Sequence, residues 1–189
     1  MAARVNLGVA YQEQGRLEMA IPQYREVIAL KPNDPLARAN LACAFAEQGK
    51  IEAALMEYKE AIRLNPVDAE LHFALGGVYE QKGRPDLAMG EYREALKAEP
   101  AFAPAETRIG WILFDKGRKE EAMDAFNRAL KLNPEDAQAY FGIGRIYAER
   151  EKHELATEHY AQALKLEKDP DRKNAIVTQF YKEGGTMDG

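Results

Sequence analysis

Two histidines in HELATEH, residues 153–159, are the nearest this chain comes to a metal-ligand signature. A helix-borne zinc pair of the H-E-x-x-H kind needs its second histidine four residues on, one turn along the same face. Thr157 stands there, and His159 lies about 240° around a helix from His153. The pair therefore reads as two solvated histidines, and no metal is expected. GIGR at 142–145 is half of a dinucleotide fingerprint, but it sits inside a helical stretch with no strand before it, so no phosphate-cradling turn forms. Serine is absent from the chain, and Cys43 is its only cysteine. A thiol becomes nucleophilic only beside a base, and the residues expected nearest to it are Ala39 and Ala46. The pattern supplies His72 with no acid or thiol partner, so it reads as a packing or surface residue. Carboxylates are plentiful but belong to solvated helix faces such as EEAMDAF. No catalytic constellation emerges, and neither an enzyme nor a cofactor is expected.

Composition narrows the remaining classes. The 189 residues suffice for one domain or a short repeat array, and the apolar content of 46% is that of a folded chain. The net charge of −5 gives no general attraction to nucleic-acid phosphates or anionic membranes, and lysine and arginine form no runs. A single cysteine forbids an intrachain disulfide and fits a reducing compartment, cytoplasmic by default. No stretch reaches the roughly 20 apolar residues that span a bilayer. The sequence leaves open an exported or membrane-anchored parent.

An internal period organises the chain. Pro32, Pro66, Pro100 and Pro134 are spaced by 34 residues, and so are Gly15, Gly49, Gly83 and Gly117. The columns Ala20, Ala54, Ala88, Ala122, Ala156 and Tyr24, Tyr58, Tyr92, Phe126, Tyr160 keep the same step. Leu7, Leu41, Leu75, Ile109 and Ile143 form an apolar column, and the next position is always glycine or alanine. Within each unit, positions 7, 8, 10 and 11 make one stripe of a helix A, and positions 20, 24, 27 and 30 one stripe of a helix B. Glycine at position 15 supplies the left-handed backbone that ends helix A. Asp34 followed by Pro35 is the clearest N-cap. A helical hairpin this small cannot bury its own apolar face, so the units must stack.

The columns L-G-x-x-Y, A-x-x-x-Y/F and P at this period resemble the tetratricopeptide repeat. The resemblance covers residues 1–170 as five units: 1–34, 35–68, 69–102, 103–136 and 137–170. The tryptophan common at position 4 is replaced by Arg4, Arg38, His72, Glu106 and Tyr140. The fifth unit departs further, with Glu151 in place of glycine and Lys168 in place of proline. In the same frame, residues 171–183 read as a capping helix with Val177, Tyr181 and Gly185 in the slots of positions 7, 11 and 15. Residues 184–189 read as a flexible tail. The expected fold is all-α, a right-handed superhelical solenoid of five hairpins closed by that C-terminal helix. The opposite end has no cap, which predicts a longer parent or a partner against the first helix.

The resemblance also implies that positions 2, 5, 6, 9, 12 and 13 of helix A line a concave groove. Those columns hold Asn6, Val9, Asn40, Phe73, Arg108, Trp111, Phe114, Phe141 and Arg145. Trp111 is the only tryptophan in the chain. An aromatic centre flanked by Arg108 and Arg145 is the composition expected of a binding hot spot. The competing reading is that Trp111 and Phe114 fill space against a neighbouring helix B, because Leu113 is slimmer than the tyrosine or phenylalanine usual in its column.

Chaperone-binding members clamp a carboxylate with Lys and Asn at positions 5 and 9 of one repeat. Here Val5 with Val9, or Ala39 with Cys43, stand in those places, so a chaperone tail is not the expected ligand. Asn6 and Asn40 begin a position-6 asparagine ladder that Ala74, Arg108 and Gly142 break. The expected function is a non-catalytic protein–protein interaction module holding a linear peptide or helix of a partner protein, at about micromolar affinity. Nucleic acid and membrane insertion are not expected. The alternative is a self-assembling scaffold or a targeting segment, associating through the uncapped N-terminal repeat.

Overall fold

The computed structural model describes residues 2–185, and among these there are eleven helices and no strand. They fall into two compact units, Met1–Pro100 and Ala101–Gly189. The first holds α1 (Ala2–Glu13), α2 (Leu17–Leu30), α3 (Pro35–Glu47), α4 (Ile51–Leu64), α5 (Ala69–Gln81) and α6 (Pro85–Ala98). The second holds α7 (Ala103–Asp115), α8 (Lys119–Leu132), α9 (Ala137–Glu149), α10 (His153–Leu166) and α11 (Pro170–Lys182). Odd-numbered helices up to α9 are the A helices, and each packs most extensively on the B helix that follows it. The part of the expected tail at 186–189 lies outside the described residues.

The hairpin turns follow from backbone chemistry. Gly15, Gly49, Gly83 and Gly117 have φ between +69° and +75°, and each closes its A helix by donating to a carbonyl three residues back. Glu151 carries the same turn at φ 57°, a conformation costing a side-chain-bearing residue about 1 kcal/mol. Asp34, Asp68 and Asp136 cap the A helices that follow them, their carboxylates accepting from backbone N–H groups of the first turn. The B helices have no side-chain cap, and a cation stands at each cap instead. Arg16 places its guanidinium 4.9 Å from the centre of the Tyr11 ring, so that cation covers an aromatic edge of the turn.

Two sequence expectations need correcting. The capping helix starts and ends one residue earlier than the 34-residue frame predicts. The loop before it, residues 167–169, is one residue shorter than the equivalent loop at 133–136. Asp169 caps α11 by accepting from Arg172 N, and the nearly buried Glu167 carboxylate accepts from Lys168 N and Asp169 N. Ile176 and Phe180, not Val177 and Tyr181, are buried against Ala156, Tyr160 and Ala163. Gly184, not Gly185, takes the positive φ, +87°. Leu7, expected in the packing stripe, is 44% exposed.

Position 4, where tryptophan is missing, is a polar contact from helix A to helix B. Arg38 donates to Glu57 at 2.8 Å, and Arg128 donates twice to the buried Glu106, at 2.7 and 2.9 Å. His72 belongs to this set. Its Nδ1 lies 2.8 Å from Glu91 Oε2 and its Nε2 3.1 Å from the Pro66 carbonyl, so its acid partner comes from helix B, 19 residues on.

The position-24 rings explain the column of small residues at position 8. A Cβ added at Gly8, Gly76, Gly110 or Gly144 would meet Tyr24, Tyr92, Phe126 or Tyr160 at 2.4–2.6 Å. Position 12 then sets the polarity of each pair. The Tyr24 hydroxyl donates to Gln12 Oε1 at 2.9 Å, and that of Tyr92 donates to Glu80. Opposite Phe126, position 12 is Phe114. Opposite Tyr160 it is Ala148, and the buried Tyr160 hydroxyl has no partner among the described residues. Burial pushes this phenol up to about 12. Tyr160→Phe removes an unsatisfied hydroxyl and is expected to stabilise the protein by about 1 kcal/mol, whereas Tyr92→Phe breaks a satisfied bond and should cost about the same. Urea denaturation of the two variants checks the opposite signs.

Candidate interaction surfaces

In the second unit, α7 and α9 bring together four of the predicted site residues. The Trp111 ring centre lies 5.7 Å from Phe114, 5.7 Å from Phe141 and 5.3 Å from Phe126 of α8. Phe141 in turn lies 5.7 Å from Tyr160. Trp111, Phe141 and Arg145 are half-buried, so each keeps part of its surface in solvent. Phe114 does not: at 4% exposure it is interior, which corrects its expected place on the open face. The cause is a pair of cations above its ring. Lys119 Nζ stands 3.4 Å from the ring centre and the Arg145 guanidinium 4.8 Å. Lys119 also pairs with Glu149 at 2.8 Å, while Arg145 pairs with no carboxylate among the described residues. Arg108 is half-buried on α7, one turn before Trp111.

Sequence reasoning missed the floor of this surface. Phe126 lies between Gly110 of α7 and Gly142 of α9, where added Cβ atoms would come within 2.6 and 2.4 Å of its ring. Gly142 breaks the asparagine ladder because any side chain there would displace Phe126. Its small size, matched to the position-8 glycines, was the available signal.

In the first unit, α3 and α5 line a pocket of about 420 Å³. Its walls include Leu36, Ala39, Asn40 and Cys43 from α3 and Ala74 from α5, the columns the repeat assigns to a groove. The Asn40 amide has no protein partner among the described residues, and Asn6 on α1 is exposed. Val9 on α1 and Phe73 on α5 are half-buried, Phe73 with its ring centre 5.3 Å from Tyr92.

Cys43 has two polar neighbours, Glu47 one turn on in its own helix and Gln12 from the preceding hairpin. Gln12 Nε2 donates to Cys43 Sγ at 3.2 Å and to Glu47 Oε1 at 2.6 Å, and the thiol donates to Glu47 at 3.4 Å. Burial raises the thiol above its ordinary range, and the negative charge of the Glu47 carboxylate raises it further, so it stays protonated at neutral pH.

The histidines remain apart as metal ligands. His153 Nδ1 lies 2.6 Å from Glu183 Oε2, while the His159 ring centre lies 5.2 Å from that of Tyr147. No group of three metal-ligating side chains occurs among the described residues, and none of their helices is long and apolar enough to cross a membrane.

Within each unit, helical hairpins packed in sequence order, with half-buried aromatic, amide and cationic side chains on their A helices, define a protein–protein interaction module of the helical-repeat class. Models of the TPR repeat match residues 8–49 and 42–83, and models of the tetratricopeptide repeat match 69–102 and 107–173. The chain belongs to the tetratricopeptide repeat family. Members are generally non-catalytic scaffolds.

Among curated proteins there is no match. Among solved structures, PilF of Pseudomonas aeruginosa is similar at TM-score 0.83 and 19% identity, over 96% of this chain and 86% of that one. MamA from Desulfovibrio magneticus RS-1 is similar at TM-score 0.74 and 22% identity, over 87% and 93%. YrrB, described as a TPR protein with an unusual peptide-binding site, is similar at TM-score 0.67 and 21% identity, over 93% and 90%. At these identities the likeness is one of fold.

Proposed function

We propose that this protein binds a linear peptide segment of a partner protein on the open face of its A helices. The observation that carries the reading is the Trp111–Phe141 surface with Arg145 held over Phe114. A cation braced on a buried ring and left without a carboxylate among the described residues is arranged for an anion from outside. The adjoining indole and phenyl faces offer apolar area that a solvent-exposed surface gains by covering. The ligand segment therefore carries an acidic residue or free C-terminal carboxylate beside an aromatic or aliphatic side chain, with Arg108 as a second cation on the same helix face as Trp111. In the first unit, the α3–α5 pocket takes a small apolar side chain while Asn40 bonds the peptide backbone. The description of YrrB as a peptide binder supports extending that kind of ligand to this chain.

A phage-displayed library of random 12-residue peptides, selected on the intact protein, tests the chemistry. Selected peptides should be enriched in Asp, Glu or a free C-terminus next to an aromatic or aliphatic residue. Arg145→Glu should weaken them at least tenfold, about 1.4 kcal/mol, with helix content unchanged by circular dichroism. Peptides without acidic bias, binding the variant as tightly as the parent, would exclude Arg145 as the selecting group.

A further inference from the structure

Lys119 is out of place in its column. Position 17 opens the B helices with Leu17, Ile51, Pro85, Lys119 and His153, so only the fourth repeat puts an ammonium there. The Lys119 side chain reaches from the start of α8 to three groups. Its Nζ donates to the Phe114 carbonyl at 3.3 Å and lies 3.4 Å from the centre of the Phe114 ring. It also meets both oxygens of Glu149, at 3.1 Å and 2.8 Å. Glu149 stands four residues after Arg145 on α9, one turn along the same helix face. A carboxylate so placed is the intrahelical partner that the Arg145 guanidinium would otherwise take. Instead the guanidinium lies 4.8 Å from the Phe114 ring centre and makes no ion pair among the described residues. The first unit offers a contrast. There Gln12 on α1 donates to Glu47 on α3 at 2.6 Å, and Cys43, in the column of Arg145, donates to the same oxygen. A neutral amide on one oxygen leaves the carboxylate open to position 9, whereas a cation on both oxygens satisfies it.

We propose that Lys119 is a positioning residue: by holding both oxygens of Glu149 it keeps Arg145 available to an acidic ligand. The inference rests on the reading of Arg145 as the selecting cation, and it adds the group that decides whether Arg145 can act. Without Lys119, Glu149 opposes an acidic ligand in two ways. It pairs with Arg145 one turn away, and its charge repels the incoming carboxylate. Held by Lys119, it does neither. The same ammonium stays over the Phe114 ring on which Arg145 is braced, so one side chain serves both the ring and the carboxylate. The effect depends on the charge of the ligand: a peptide that brings no anion gains nothing from Lys119.

The test is calorimetry of the intact protein at low ionic strength with a library-selected acidic peptide. Its neutral analogue, with Asn or Gln for each acid and an amidated C-terminus, is titrated beside it. Lys119→Met keeps the length of the side chain and the cover over Phe114 while removing the charge. It should weaken the acidic peptide about threefold and leave the neutral analogue unchanged. Adding Glu149→Gln to that variant should restore parental affinity. Lys131→Met, which removes the same charge about 18 Å along α8, should have no effect. In the free protein, the Arg145 Nε–H signal in a ¹⁵N spectrum should shift in Lys119→Met and return in the double variant. Absence of that shift overturns the proposal. So does a double variant that stays weak, which means that Lys119 itself touches the ligand, or an equal loss for the neutral analogue, which means a packing role. Arg145→Glu separates this proposal from the reading beneath it. Acidic peptides weakened by Arg145→Glu but not by Lys119→Met overturn the role of Lys119 alone, whereas indifference to both variants removes the selecting cation and this proposal with it.

Discussion

Gly142→Ala is expected to lower the stability of the second unit by about 1 kcal/mol net, although alanine is the better helix former by about 1 kcal/mol. The new Cβ would lie 2.4 Å from Phe126 Cζ, well inside van der Waals contact. A ring at the end of a flexible side chain could swing away, but Phe126 is fully buried and faces Gly110 on its other side, where the clearance is equally small. Relief at one glycine tightens the contact at the other, so the overpacking cost of about 1–3 kcal/mol exceeds the propensity gain. The same movement tilts the floor beneath Trp111, whose emission should shift in the folded variant. Gly77→Ala is the control. It is also in a helix, but nothing lies within 4 Å of its added Cβ, so it should be neutral or stabilising. Combining Gly142→Ala with Phe126→Leu should recover part of the loss, a coupling that a double-mutant cycle reads directly. Urea melts in which Gly142→Ala and Gly77→Ala behave alike would refute the sandwiched ring.

The hairpins were legible because identical contacts recur every 34 residues, and each recurrence leaves its residue type in the same column. Gly15 and its equivalents, the position-20 alanines and the position-24 rings all occupy the places the period assigns. What lay outside a single unit was harder to read. Exposure of Phe114 depends on Lys119 and Arg145, which reach over it from two other helices, so its column alone placed it on the open face. Cys43 owes part of its polar surroundings to Gln12, 31 residues earlier in the preceding hairpin, whereas Glu47, four residues on in the same helix, lay within reach of the sequence reading. The frame slip at α11 was readable in principle. Asp169–Pro170 repeats the Asp34–Pro35 cap, and anchoring on that pair rather than counting forward by 34 places Ile176, Phe180 and Gly184 correctly. His72 and Glu91 were also readable as a pair, because Arg38 and Glu57 hold the same two positions one unit earlier with the same carboxylate on helix B.

Trp111→Ala should weaken peptide binding at least 30-fold while the protein stays folded, and the balance between those two effects is what makes the variant informative. Full burial would make the truncation cost about 3–5 kcal/mol in stability. The indole keeps part of its surface in solvent, so roughly half that is expected, about 2 kcal/mol, within what a folded unit tolerates. Its neighbours Phe126 and Phe141 close part of the gap, since each also packs on groups that the substitution leaves in place. Binding loses more than it would from removal of a rim contact. The indole supplies the largest apolar area of the patch, and the phenyl face of Phe141 beside it then lacks a rigid neighbour to hold a ligand side chain against. A loss of at least 30-fold, about 2 kcal/mol, is expected in a titration against a selected acidic peptide, followed by calorimetry because the variant has no tryptophan. The parent provides the complementary signal. As the only tryptophan, Trp111 should change emission on binding if the ligand covers it, and the change should saturate with the calorimetric isotherm. A variant that keeps parental affinity at parental helix content would place the ligand elsewhere on the molecule and leave the aromatic cluster with a packing role alone.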